Sequence, residues 1–146
     1  MENQIIKFEA NMEIVNAFAV KEVSDENPEI RYTTTTDTAK LFNALRGKSL
    51  KVKDFIGETF DIVDIVISAS DVHEDKNNED SPMVNRPVVH FFTADGKHIS
   101  TLSNGIARNV KALFEIGLIP TNESPMKIRF DEIETKNGMA HIFELV

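Results

Sequence analysis

RPVVHFFTADGKHISTLSNGIARNVKALFEIG, residues 86–117, reads as a strand, a tight turn, a second strand and a helix. Asp95-Gly96 divides RPVVHFFTA from KHISTLS and supplies the positive-φ position of a hairpin turn. Ser103 and Asn104 offer side-chain oxygens to the first free amides of a helix. Within that helix Ile106, Val110, Leu113 and Phe114 fall at i, i+4, i+7 and i+8, one apolar stripe on a 3.6-residue period. Gly117 stands where the helix should stop, and Pro120 prevents its return.

Working outward, PMKIRFDEIET (125–135) and MAHIFELV (139–146) flank a second hairpin signal, Asn137-Gly138. Met126, Ile128 and Phe130 alternate with Lys127, Arg129 and Asp131, the pattern of a half-buried strand. Upstream, GETFDIVDIVISASDV (57–72) is almost continuously β-branched, as expected of a long, strongly bent strand. Three strands, a helix and two strands predict a mainly β protein. The order is that of an OB-fold, a five-stranded Greek-key barrel with a helix between strands 3 and 4. A sandwich, or an open sheet covered by the helix, shares the same element list.

Ahead of the barrel the chain divides into an N-terminal arm, residues 1–29, and a domain spanning 30–146 that begins with a lead-in strand and a short helix. SDENPE (24–29) is a polar break, RYTTTT a β-favouring stretch, and TAKLFNALRG (38–47) a helix capped by Asp37 or Thr38. Leu41, Phe42 and Leu45 are its expected buried face.

The chain has 146 residues and no cysteine, which excludes a disulfide framework, a thiol catalyst and a cysteine metal site. No apolar run approaches the roughly 20 residues of a membrane helix, and MENQIIKFEA lacks the features of a secretion signal. His73, His90, His98 and His141 are dispersed without metal-ligand spacing, and no phosphate loop, dinucleotide fingerprint or nucleophile elbow occurs. No enzyme activity, metal or cofactor is therefore expected. The carboxylates of DVHEDKNNEDSP (71–82) lack the calcium-loop ladder and read as an acidic surface loop.

The net charge of −8 is unevenly spread. Residues 1–30 carry −5, residues 31–53 carry +5 through Arg31, Lys40, Arg46, Lys48, Lys51 and Lys53, residues 54–85 carry −8, and the remainder balances. A basic segment inside an acidic chain is either a solvated face or a site for phosphates, whose attraction is local.

LFNALRGKSLKVKDFIGETFDIVDI (41–65), HFFTADGKHISTLSNGIARNVKAL (90–113) and KIRFDEIETKNGMAHIFEL (127–145) resemble the single-stranded DNA-binding proteins of small protein-primed tailed phages and related mobile elements or conjugative plasmids. The shared features are Phe42-Asn43-Ala44 ahead of the barrel, the Ala94-Asp95-Gly96 turn, the serine-led helix and the final hairpin. The resemblance implies non-catalytic, cooperative, sequence-independent coating of single-stranded DNA during replication or conjugative transfer, in the bacterial host cytoplasm. Replication or transfer proteins would be partners, and a membrane would not. The acidic insert between the first two barrel strands departs from that pattern.

Such a binder needs aromatic platforms for bases and cations for phosphates. If Val89 and Phe91 fill the core, His90 and Phe92 face outward beside Arg86 and Lys97. Arg46, Lys48, Lys51 and Lys53 supply further cations, and Tyr32 and Phe55 are secondary platforms; the hydroxyls of Thr33–Thr36 are further donors to phosphate. Phe42, Phe60, Phe114, Phe130 and Phe143 are read as core. Ile5, Ile6, Phe8, Val15 and Phe18 in the acidic arm are candidates for self-association, either with a neighbouring copy or against their own barrel. A protein-interaction module of a virion or transfer apparatus is the rival reading, and an oligosaccharide binder a third. Steep salt dependence separates the first from the other two.

Overall fold

The computed structural model describes residues 14–146. In chain order the elements are a helical stretch α1 (residues 14–18), β1 (Lys21–Glu22), β2 (Ile30–Thr33), α2 (Thr38–Arg46), β3 (Leu50–Lys51), a 3-10 turn (Val52–Phe55), β4 (Thr59–His73), β5 (Met83–Thr93), β6 (His98–Thr101), α3 (Asn104–Glu115), β7 (Met126–Thr135) and β8 (Gly138–Leu145). The protein is mainly β, with one curled, open sheet.

The long hairpin of β4 and β5 is its spine, paired from Ile62↔Thr93 to His73↔Met83. The β-branched run of β4 has no polar face because both faces are covered. Ile62, Ile65 and Ile67 enter the main core, whereas Val63 and Val66 join a smaller cluster with Ala44 and Phe92 under α2. A register shift between Ile62 and Asp64 lets the strand bend there. The same cover corrects the expectation for β5. Phe91 is 0% exposed and Phe92 only 6%, so the adjacent phenylalanines are buried on opposite faces. His90, expected to face solvent, is 5% exposed.

Both tight turns form, but only their glycines take positive φ, +89° at Gly96 and +110° at Gly138. No other residue type among the described residues does so. Asp95 and Asn137 therefore keep negative φ, and the glycine that follows supplies the left-handed step.

The pairings β4–β5, β5–β6, β4–β7 and β7–β8 join the last five strands, but β6 and β8 do not pair. The sheet path is β3-β6-β5-β4-β7-β8, with β1 on β5 and β2 on β4, eight strands among the described residues instead of five. The free edge of β8 is met by α3. The Ser103 hydroxyl donates to the His141 carbonyl at 3.2 Å, and the Asn109 side chain donates to that of Phe143 at 2.8 Å. Gly105 allows this approach: a Cβ there would lie 2.3 Å from the His141 carbonyl oxygen. Ile106, Val110, Leu113 and Phe114 bury the stripe read from the sequence.

Two of the extra edge strands are β1, from the arm, and β2, the lead-in strand. β7 pairs with only Thr59–Ile62 of β4, and β6 with only Val89–Phe92 of β5, so the far half of the hairpin has bare edges. β2 covers one at Val66–Ser68 and β1 the other at Val84–Asn85. Arg31 ties the crossing together, donating to the carbonyls of Ala17 and Ala19 and to the Asn85 side chain at 2.6 Å. Residues 14–29 thus return along their own sheet. Ile14 and Ala17 are buried, and Phe18 packs on Phe114 of α3 at 6.3 Å between ring centres, so Phe18 contacts the chain's own core.

α2 is clamped over the sheet. Asp37 accepts the Ala39 amide at 2.9 Å, Lys40 pairs with the buried Asp64 at 2.6 Å, and Arg46 pairs with Glu29 at 2.9 Å. Ala44 is the buried contact and Leu41 packs beside it. Phe42, expected in the core, is instead 63% exposed. The physical reason is spacing: with Lys40, Leu41 and Ala44 turned to the sheet, residue 42 lies off the buried stripe.

Candidate nucleic-acid interface

The face of β4, β5 and β6 turned away from the main core is half covered by α2. The cross-strand rows are Val66↔His90↔Ser100, Ser68↔Val88 and Ser70↔Arg86. Where α2 ends, Ser68, Ser70, Val88, His90 and Ser100 floor a cavity of about 540 Å3, walled by Ala44, Leu45, Ser49, Lys51 and Lys53. A second hollow of about 800 Å3 opens between the loop after β4, with Glu74, Asp75 and Lys76, and the turn between β7 and β8, with Thr135, Asn137 and Met139; Arg86 lines it too. Both hollows are lined by Thr101, Leu102 and His141, which sets them end to end as one trough.

The floor is polar and hydrogen-bonded. Ser68 Oγ lies 2.7 Å from His90 Nε2, His90 Nδ1 lies 2.8 Å from His98 Nε2, and the hydroxyls of Ser49 and Ser100 are 2.5 Å apart. His98 stacks on Phe92, with ring centres 4.7 Å apart. Burial first, then the proximity of His98 and Lys51, pushes the His90 pKa down to about 3. Burial also lowers that of His98. The two imidazoles are therefore neutral at pH 7, and the positive charges lining the trough are lysine and arginine, with Glu74 and Asp75 opposing them in the second hollow.

Those cations divide into two groups. Arg31 is engaged with the arm and Lys40, Arg46 and Lys97 pair with Asp64, Glu29 and Asp95. Among the described residues Lys48, Lys51, Lys53, Lys76 and Arg86 have no carboxylate partner, and the last four line the trough. Arg86 Nε is buried without a hydrogen-bond partner among the described residues. Cations freed from internal pairs, together with serine and threonine hydroxyls, suit the oxygens of a sugar-phosphate chain.

The expected residues are thus partly brought together. Lys51, Lys53, Arg86 and the edge of His90 share the trough, and Lys48 lies two residues beyond the end of α2. Phe92 is beneath α2, Tyr32 packs on Phe114 at 5.0 Å, and Phe55 sits edge-on to Phe60 at 5.4 Å. Thr33 and Thr34 turn their hydroxyls inward, to Thr35 and Asp64. Of the self-association candidates, Val15 is exposed, while Ile5, Ile6 and Phe8 lie outside the described residues. Sequence reasoning missed Ser68, Ser70, Ser100, Thr101 and His141. The signal was present in ISASD (67–71), where small polar residues take alternate positions in an otherwise apolar strand.

Residues 9–145 match the family model described as phage single-stranded DNA-binding protein. No curated protein and no solved structure matches the chain.

Proposed function

The chain belongs to the phage single-stranded DNA-binding protein family, and from that premise we propose that the DNA strand lies in the trough across β4, β5 and β6. The protein binds single-stranded DNA in phage replication. The observation that carries the proposed path is the set of four trough cations without a carboxylate partner among the described residues, in a chain of net charge −8. Lys51, Lys53, Lys76 and Arg86 meet phosphates while the hydroxyls of Ser70, Ser100 and Thr101 bond backbone oxygens. These groups are the same in every nucleotide, so binding is independent of base sequence. The five strands β4–β8, with α3 between β6 and β7, are read as an OB-type barrel that α3 seals at β8. The binding face is that of its second and third strands.

Coating of long strands involves contacts between copies, carried by Ile5, Ile6 and Phe8 ahead of α1 together with the exposed Val15. Because residues 14–29 are part of the fold, deletion of residues 1–13 is the informative truncation: cooperativity falls while affinity for a short oligonucleotide persists. The function is tested by titrating labelled 30–60-nucleotide single strands, their duplexes and matching RNA at low salt. Binding of the DNA single strand with weak base preference and at least tenfold better than duplex is expected. Absence of binding at micromolar protein overturns the reading.

A further inference from the structure

Phe42 is 63% exposed, and among the described residues it is the one phenylalanine or tyrosine that is mostly open to solvent. It stands on a helix held in place by the Asp37 cap, the Lys40–Asp64 pair and the Arg46–Glu29 pair. Leu45, three residues on, lines the trough, and positions i and i+3 are neighbours on one side of a helix. Phe42 therefore extends the α2 wall of the trough by one turn. The trough lining itself contains no phenylalanine or tyrosine. Lys51 and Lys53, without carboxylate partners among the described residues, line the same end.

We propose that Phe42 is the platform on which a base of the bound strand stacks as the backbone enters the trough at α2. The assignment rests on the reading of the trough as the strand's path. An exposed ring on a helix that walls a cationic trough is the arrangement unstacked bases use, and every base has a face to offer it. The clamps on α2 mean that little ordering remains to be done when the strand arrives. The occupant is a nucleic-acid base, because the wall is continuous with a cationic trough.

The chain has no tryptophan, so Phe42→Trp places a single indole emitter at the site. Its emission should be quenched on saturation with a 15-nucleotide oligothymidylate and recover when salt releases the strand. Phe42→Ala should weaken binding of that oligonucleotide by about five- to 150-fold, Phe42→Tyr should restore most of it, and the melting temperature should not move. Wild-type affinity in Phe42→Ala, or emission of Phe42→Trp that ignores the bound strand, overturns the proposal. Loss of cooperativity on long strands with unchanged short-strand affinity also overturns it, and assigns Phe42 to a contact between copies. Failure of the wild-type protein to bind the oligonucleotide would instead overturn the trough reading beneath it.

Discussion

Replacing Lys51 and then Lys53 with alanine probes the trough through its salt dependence. Four cations line it: Lys51, Lys53, Lys76 and Arg86. Each phosphate neutralised on a single strand contributes about 0.7 to the slope of log K against log salt, so four contacts give a slope of about −2.8. Affinity of the wild-type protein should then fall about 50-fold between 50 and 200 mM salt. Lys51→Ala should bring the slope to about −2.1, and the double variant to about −1.4, with a fall of only about sevenfold across the same range. Neither lysine has a carboxylate partner among the described residues, so the fold loses no ion pair. The assay is fluorescence anisotropy of an end-labelled 15-nucleotide oligothymidylate, titrated at several potassium chloride concentrations. A double variant that retains the wild-type slope refutes the reasoning, even if its affinity is lower.

Phe92→Ala should cost about 3 kcal/mol or more as a cavity opens beneath α2, read as a lowered melting temperature; unchanged stability would place the ring at the surface. Gly105→Ala should destabilise by about 1–3 kcal/mol through overpacking, because its Cβ would meet the His141 carbonyl oxygen at 2.3 Å. Wild-type stability in that variant would mean that α3 is not held against β8. His90 has a folded pKa of about 3, below its ordinary value of 6.5. The unfolded chain therefore takes up the proton first on acidification. Stability from the neutral, buried imidazole is complete above about pH 6.5 and is lost as pH falls towards 3. Melting temperatures between pH 7.5 and 4 should drop more steeply for the wild-type protein than for His90→Gln, and equal slopes would refute this origin.

The helix stripe of Ile106, Val110, Leu113 and Phe114, the two glycine turns and the strand order were legible because each depends on local periodicity or backbone geometry. What covers the outer face of β4 and β5 was not. A helix of nine residues from ahead of β4 packs over the sheet to bury Phe92, and nothing local to VVHFF distinguishes a ring under a helix from one in water. The same long-range packing turned Phe42 outward. Charge by segment located the basic region but not its division. Lys40 and Arg46 are neutralised by Asp64 and Glu29, 24 and 17 residues away in sequence, whereas Lys51 and Lys53 are left to the trough. The sheet pairings of Lys21–Glu22 in the arm and of the lead-in strand Ile30–Thr33 were not legible locally, since the need for them arises from bare edges on a distant hairpin.

The central claim is the path of the strand, and an amide chemical-shift titration of the isotopically labelled protein with a 15-nucleotide oligothymidylate tests it most directly. The largest perturbations are expected at Ser49, Lys51, Ser68, Ser70, Val88, Ser100, Thr101 and His141, with α3 beyond its first turn unaffected. Perturbations confined to α3, the arm or the far face of the sheet, with these trough amides unmoved at saturation, would contradict it.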